Sequence, residues 1–138
     1  MVRLSTGFRY IGFATACCAV LGAAVTASAA EAIHPVKISQ AQIAGAIFKD
    51  YQPVVKTEGG NTTHDVEVFL SKDRQFDAGM YRSGKVRAEI KTPYGVNEYM
   101  HFLEGGVTLT SSDGTVTEIR AGDSVVIPAD WTGVWDTE

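Results

Sequence analysis

The last third of the chain alternates apolar and polar residues in short segments, which glycine and Asp-Gly turns separate at near-regular spacing. Alternation is clear just ahead of this stretch, in Val86, Ala88 and Ile90, and again within it, in Val107 and Leu109. Every second side chain of such a segment faces the same side of a sheet. Short alternating strands separated by such turns are typical of a small antiparallel β-barrel or jelly roll, so we predict an all-β fold.

The strand pattern begins after Asp65 and continues almost to the end of the chain. The predicted strands are Val66–Leu70, Phe76–Arg82, Lys85–Lys91, Glu98–Leu103, Val107–Thr110, Val116–Arg120, Ser124–Ile127 and Thr132–Trp135.

Ahead of the strands lies one segment with helical periodicity, from Ser39 to Tyr51. Ser39 is a good capping residue, and Ile43 and Ile47 lie at helical spacing. We predict one short helix that packs across the barrel. The residues from 57 to 63 are polar and contain Gly59-Gly60, and we expect a loop there.

The first thirty residues have the organisation of a signal peptide. Arg3 and Arg9 precede an uncharged apolar run over residues 11–25, and Ala27-Ser28-Ala29 supplies small residues for cleavage. The alternative is an uncleaved membrane anchor, but the run is short against the about 20 apolar residues that a span needs. We predict an exported protein, periplasmic or extracellular, that starts near Ala30 or Glu31 and has no membrane attachment after cleavage.

Removal of this leader changes the chemistry of the chain. Both cysteines, Cys17 and Cys18, lie within it, so the mature chain would have no disulfide and no cysteine metal ligand. Ten of the 12 basic residues would remain against 16 acidic ones, a net charge of −6. Without a basic cluster, nucleic acid and anionic lipid are unfavourable partners.

The chain is therefore predicted to divide into three parts, a leader at 1–30, a helix and loop at 31–64, and a β-barrel at 65–138.

Two segments of the barrel region carry a resemblance to a known family. One runs from Glu98 to Phe102-Leu103-Glu104-Gly105, and the other from Gly122-Asp123 to Ile127-Pro128. They match E-x-x-x-(V/F)-L-E-G and G-D-x-x-x-I-P, two motifs of the cupin superfamily, which residues 65–138 resemble.

The ending Asp130–Trp135 is similar to that of small cupins grouped with the (S)-ureidoglycine aminohydrolase cupin domain. Asp130 stands where that group usually has Gly. The resemblance implies a cupin barrel and a homodimer. Relatives continue through about one more strand, so we expect a barrel that lacks its last strand or closes differently.

The resemblance also implies where a metal would bind. Metal-binding cupins use three His and a Glu, and Glu98 matches the Glu. The three His positions fall on Lys91 or Thr92, on Pro93 or Tyr94, and on Gly133. None of these is His, and His101 falls on the opposite face of its strand from Glu98. We therefore predict no metal and no cofactor.

Strand parity suggests a ligand pocket instead. Its predicted members are Glu98, Met100 and Phe102 on one strand and Trp131, Gly133 and Trp135 on another. If both faces point inward, they combine a carboxylate, a thioether and aromatic rings, and Gly133 leaves room for a ligand. The alternative is that the aromatic rings simply fill the barrel. A buried carboxylate needs a partner, and the candidates are Lys91, Arg87 and Arg82.

Three functions are consistent with this pattern. The first is a metal-free module that binds an unknown small molecule without catalysis. The second is an enzyme acting on a small ureido, amide or sugar compound, with Glu98 as acid/base or as a lone metal ligand. The third is a dimerisation module.

Overall fold

The computed structural model of the protein describes residues 2–6 and 32–137, and its ten strands within those ranges form two antiparallel sheets. The strands are β1 (Val2–Thr6), β2 (Val54–Glu58), β3 (Asn61–Leu70), β4 (Asp77–Arg82), β5 (Arg87–Ile90), β6 (Asn97–His101), β7 (Gly106–Ser111), β8 (Val116–Arg120), β9 (Ser124–Ile127) and β10 (Gly133–Asp136). The larger sheet has the order β2-β3-β4-β1-β6-β9, and the smaller sheet has the order β5-β10-β7-β8.

The main hydrophobic core lies between the two sheets. Met100 and Ile127 of the larger sheet pack with Val107, Leu109 and Ile119 of the smaller one. The strands pair only within their own sheets over the described residues, so the closed barrel that we predicted is not formed. The mostly-β prediction is confirmed. The sheets do not close into a barrel because their edge strands do not pair with each other. The edge strands are β2 and β9 in the larger sheet and β5 and β8 in the smaller one.

The predicted short helix is present and begins with reciprocal capping. The Gln42 N–H donates to Ser39 Oγ at 3.2 Å, and the Ser39 N–H donates to Gln42 Oε1 at 2.8 Å. A π-helical turn, Gln42–Ala46, leads into α1 (Ile47–Asp50). Gly45 has a φ of 109° and kinks the segment. No helix in the two described ranges is long and apolar enough to cross a membrane.

The helix packs on the larger sheet and forms a second, smaller core. Ile47 is fully buried against Val66 of β3 and Met80 of β4. Phe48 and Leu103 pack against the same cluster. The helix therefore covers part of β3 and β4, and Leu103 of the loop after β6 lies beside it.

The polar loop that we predicted at residues 57–63 is a β-hairpin instead. Glu58 pairs with Asn61 across Gly59-Gly60, whose φ angles are 55° and 81°. Two consecutive residues with positive φ give a two-residue turn whose twist matches the twist of the two flanking strands. The prediction was wrong because the Gly-Gly pair was taken as a loop signal, when it is also a hairpin signal.

Strand β1 lies inside the predicted leader and in the middle of the larger sheet. Val2–Thr6 pairs with β4 on one side and with β6 on the other. The rest of the predicted leader, including both cysteines and the cleavage site, lies outside the described residues. Cleavage near Ala30 remains a prediction, and it would take away a strand that links β4 to β6.

We therefore predict a measurable difference between the full chain and a chain that starts at Glu31. In the shorter chain, amide hydrogen exchange in β4 and β6 should be faster, because the hydrogen bonds to β1 are lost. The β7–β8 hairpin of the other sheet is the internal reference. Equal exchange in β4 and β6 of both chains would show that β1 does not hold these strands together.

Candidate functional site

The centre of the candidate site is a carboxylate inside the fold. Along β6 the side chains alternate as predicted, and Glu98 is only 2% exposed, whereas Tyr99 on the opposite face is 39% exposed. Glu98 is the buried charged residue of the described core. Because a carboxylate loses its hydration on burial, it must be compensated by hydrogen bonds inside the protein.

Tyr94 supplies such a hydrogen bond, since its hydroxyl donates to Glu98 Oε2. The loop that carries Tyr94 is fixed by backbone hydrogen bonds. The Tyr94 N–H donates to the Trp131 carbonyl at 3.0 Å, and the Gly95 N–H donates to the Ala129 carbonyl at 2.7 Å. The loop before β6 and the turn before β10 therefore hold each other and aim the phenol at the carboxylate.

Glu98 and Tyr94 face a cavity of about 260 Å³, which we call the inner cavity. Its walls come from strands of both sheets and are mostly apolar. The lining residues are Tyr81, Ala88, Ile90, Tyr94, Glu98, Met100 and Trp135. Apolar walls with a few convergent polar groups are the usual design of a small-molecule site, and this volume suits a compact ligand.

The structure divides the six predicted pocket residues. Glu98, Met100 and Trp135 line the inner cavity together. Phe102 instead lines a neighbouring cavity of about 520 Å³, which we call the outer cavity. Trp131 and Gly133 line neither of these two cavities. Parity along β6 was thus a good guide, and parity along β10 was a poorer one.

Gly133 does not leave room for a ligand, contrary to our expectation. A Cβ atom there would lie 2.2 Å from the Thr110 carbonyl oxygen and 2.7 Å from Cζ2 of Trp131. The space is already filled by the indole, whose Nε1 donates to Ser111 Oγ at 3.2 Å. The same indole meets the Tyr94 ring edge-on, with centroids 6.4 Å apart. Trp131 therefore packs against the Tyr94 ring and helps to hold it in place.

The three cations considered as partners for Glu98 lie elsewhere. Lys91 Nζ is 3.2 Å from Glu89 Oε2, and Arg87 pairs with Asp136. Arg82 sits over the ring of Phe48, 4.7 Å from its centroid. Strand parity does not predict Tyr94 as a partner of Glu98, because Tyr94 lies in a loop, where parity gives no direction.

The histidines of the described chain do not gather around Glu98. His101 faces away from the core, as its parity predicts, and its Nδ1 lies 2.9 Å from Ser124 Oγ. His64 of β3 meets Phe48 edge-on at 6.4 Å. Among residues 2–6 and 32–137, no group of three His, Cys, Asp or Glu side chains is placed to hold a metal ion.

The two-sheet fold with a carboxylate in the space between the sheets defines a cupin-type domain. Residues 70–138 match the family described as the EutQ-like cupin domain. The protein belongs to this family, which supports a cupin module that binds or converts a small molecule. No curated protein matches the chain.

We predict that Tyr94→Phe destabilises the protein by about 1–3 kcal/mol, because Glu98 would keep its burial and lose a donor. Tyr99→Phe is the matched control, since it removes a hydroxyl that bonds Ser124 at the surface. Urea unfolding of both variants measures the difference. Equal losses in the two variants would contradict a special role for the Tyr94 hydroxyl.

We also predict that Gly133→Ala costs about 1–3 kcal/mol, since the new methyl group overlaps the Thr110 carbonyl and the Trp131 ring. Displacement of the indole should alter tryptophan fluorescence. Thr132→Ala, one residue earlier, is the control. Wild-type stability and fluorescence in Gly133→Ala would mean that Trp131 does not fill this space.

Proposed function

We propose that the protein is an exported, metal-free cupin module that binds a small molecule in the inner cavity without transforming it. The observation that carries the proposal is the Glu98 carboxylate, 2% exposed and facing a mostly apolar cavity of about 260 Å³. Burial of a carboxylate is costly unless the carboxylate accepts hydrogen bonds from the protein or from a ligand. Membership of a cupin family supports a small-molecule role.

The chemistry of the walls limits the ligand. Glu98 accepts hydrogen bonds, so the group that meets it must carry N–H or O–H donors. Trp135 and Tyr81 offer ring faces and edges to a planar or apolar part of the ligand. A ureido or amide group combines a planar shape with N–H donors. The resemblance of the chain's end to the ureidoglycine aminohydrolase group favours the same chemistry.

The residues around Glu98 support a function that does not use a metal. Tyr94 falls at or beside a position where metal-binding relatives have His, and here its hydroxyl donates to Glu98. Gly133 falls at the last His position and is packed against Trp131. A single carboxylate with a phenol is a weak ligand set for a transition metal.

The alternative is an enzyme in which Glu98 acts as acid/base. It is favoured by the Tyr94–Glu98 hydrogen bond, because a directly bonded phenol and carboxylate could pass a proton to or from a ligand. Against it stands the lining of the inner cavity. Apart from Glu98 and two tyrosines, that lining is apolar, so a second acid/base group of ordinary strength is lacking among the described lining residues.

We also propose a homodimer formed through the outer face of the larger sheet. Tyr99 of β6 and Val126 of β9 are paired neighbours on that face. Val126 is 63% exposed. Burial of this patch against a second copy would stabilise a dimer, and β9 also has a free sheet edge in the described structure.

The proposal predicts that untagged protein contains no stoichiometric Mn, Fe, Ni or Zn by elemental analysis. In a thermal-shift screen of small ureido and amide compounds, a binder should raise the Tm of the wild type and raise that of Glu98→Gln much less. Glu118→Gln, at an exposed glutamate of β8, is the control and should respond like the wild type. About one metal per chain, lost in Glu98→Ala, would instead favour the enzyme.

A further inference from the structure

Strand β1 separates β4 from β6 in the middle of the larger sheet. It pairs antiparallel with both of them, while β4 and β6 pair on their other sides with β3 and β9. If the leader is removed, the facing edges of β4 and β6 lose the partner of their N–H and carbonyl groups. Because unpaired backbone groups inside a sheet are costly, the vacated slot is a binding site for another extended segment.

The four residues just ahead of the helix have the same pattern as β1. Val36-Lys37-Ile38-Ser39 matches Val2-Arg3-Leu4-Ser5, with valine first, a basic residue second, a branched aliphatic residue third and serine fourth. Val36–Ser39 lies after the predicted cleavage site. A chain without its leader therefore keeps a segment with the residue pattern of the strand that it has lost.

The segment Val36–Ser39 is available for pairing and lies close to the slot. Residues 32–39 form neither helix nor strand, and Val36 is 53% exposed. Ile38 packs against the small core that includes Met80 of β4. Met80 is also one of the residues that pair with β1. The segment therefore starts beside the edge that it would occupy, within its own chain.

The charges that border the slot also suit this segment. In the register of β1, the second position lies between Gly79 of β4 and Met100 of β6, and Lys37 would take this position. Asp77 and Glu98 lie two residues before them, on the same face of the sheet. A long side chain reaches such diagonal neighbours. Lys37 would therefore lie within reach of two carboxylates, which favours a basic residue at this position.

We infer that, once the leader is removed, Val36–Ser39 of the same chain enters the slot between β4 and β6 and replaces β1. This rests on the export that is part of the proposed function, and it adds which segment completes the sheet afterwards. The helix loses its reciprocal capping hydrogen bonds with Gln42 when Ser39 moves into the sheet. Val36–Ser39 therefore holds the slot less firmly than β1, and a chain that starts at Glu31 still exchanges its β4 and β6 amides faster than the full chain.

The test uses amide hydrogen exchange of the full chain, so it does not depend on removal of the leader in the cell. Arg3→Pro takes a backbone N–H from β1 and should expel this strand, since proline is not tolerated in a central strand. Lys37→Pro does the same to Val36–Ser39, and Lys37 is exposed in the described fold.

Lys37→Pro alone should leave exchange in β4 and β6 unchanged, because β1 still fills the slot. In Arg3→Pro, the amides of Lys37 and Ile38 should become protected. The double variant should exchange its β4 and β6 amides at least about tenfold faster than Arg3→Pro, because both candidate strands are then blocked.

Ala32→Pro combined with Arg3→Pro is the matched control. It places a proline in the same exposed arm but outside Val36–Ser39, so it should exchange like Arg3→Pro alone. The β7–β8 hairpin of the smaller sheet is the internal reference, and its exchange should not change in any of these variants.

Three results would overturn the replacement: equal exchange in Arg3→Pro and the double variant, unprotected amides of Lys37 and Ile38 in Arg3→Pro, or unfolding of Arg3→Pro that includes the β7–β8 hairpin. Protection in Arg3→Pro that falls on dilution would show that a second copy supplies the strand, which overturns the assignment to the same chain. N-terminal sequencing of the exported protein tests the proposed export separately. A retained Met1 would contradict that export, whereas the exchange results decide the strand replacement by themselves.

Discussion

The burial of Glu98 is the constraint on which the rest of the site depends. A carboxylate at 2% exposure must be met by donors from the protein, and the Tyr94 hydroxyl is one that the structure provides. Tyr94 can reach it only because its loop is tied to the Trp131 and Ala129 carbonyls and its ring rests on the Trp131 indole. The indole in turn needs a glycine at Gly133, where a side chain would overlap it.

This chain of contacts explains how a tyrosine hydroxyl comes to meet the buried carboxylate of the inner cavity. The segments that carry the two cupin motifs lie next to each other, since β6 pairs with β9, and the turn after β9 holds the loop before β6. The Tyr94 hydroxyl then donates to the Glu98 carboxylate. Because a phenol–carboxylate hydrogen bond can be exchanged for one from a ligand, the same arrangement can release Glu98 for binding.

Much of the fold could be predicted from the sequence, because strand periodicity and cupin motifs are local signals. The alternation along β6 correctly placed Glu98 inward and His101 outward. The hairpin at Gly59-Gly60 was missed because the residues around its turn are polar and every residue of β2 is exposed. Tyr94 was missed because a loop side chain is directed by long-range hydrogen bonds to the turn before β10. The pairing of β1 was also beyond local pattern, since it joins segments about seventy or more residues apart.

Contact between the Glu98 carboxylate and a ligand is the step on which the proposed function depends. It is tested most directly by NMR of isotope-labelled glutamate carboxylates, with the Glu98 signal assigned by its loss in Glu98→Gln, while a binder is titrated in. We expect the Glu98 carboxylate and the Trp135 indole to shift together and to saturate at the same ligand concentration, while the exposed carboxylate of Glu118 stays unchanged. Saturable binding that moves other signals and leaves Glu98 unmoved would contradict the account.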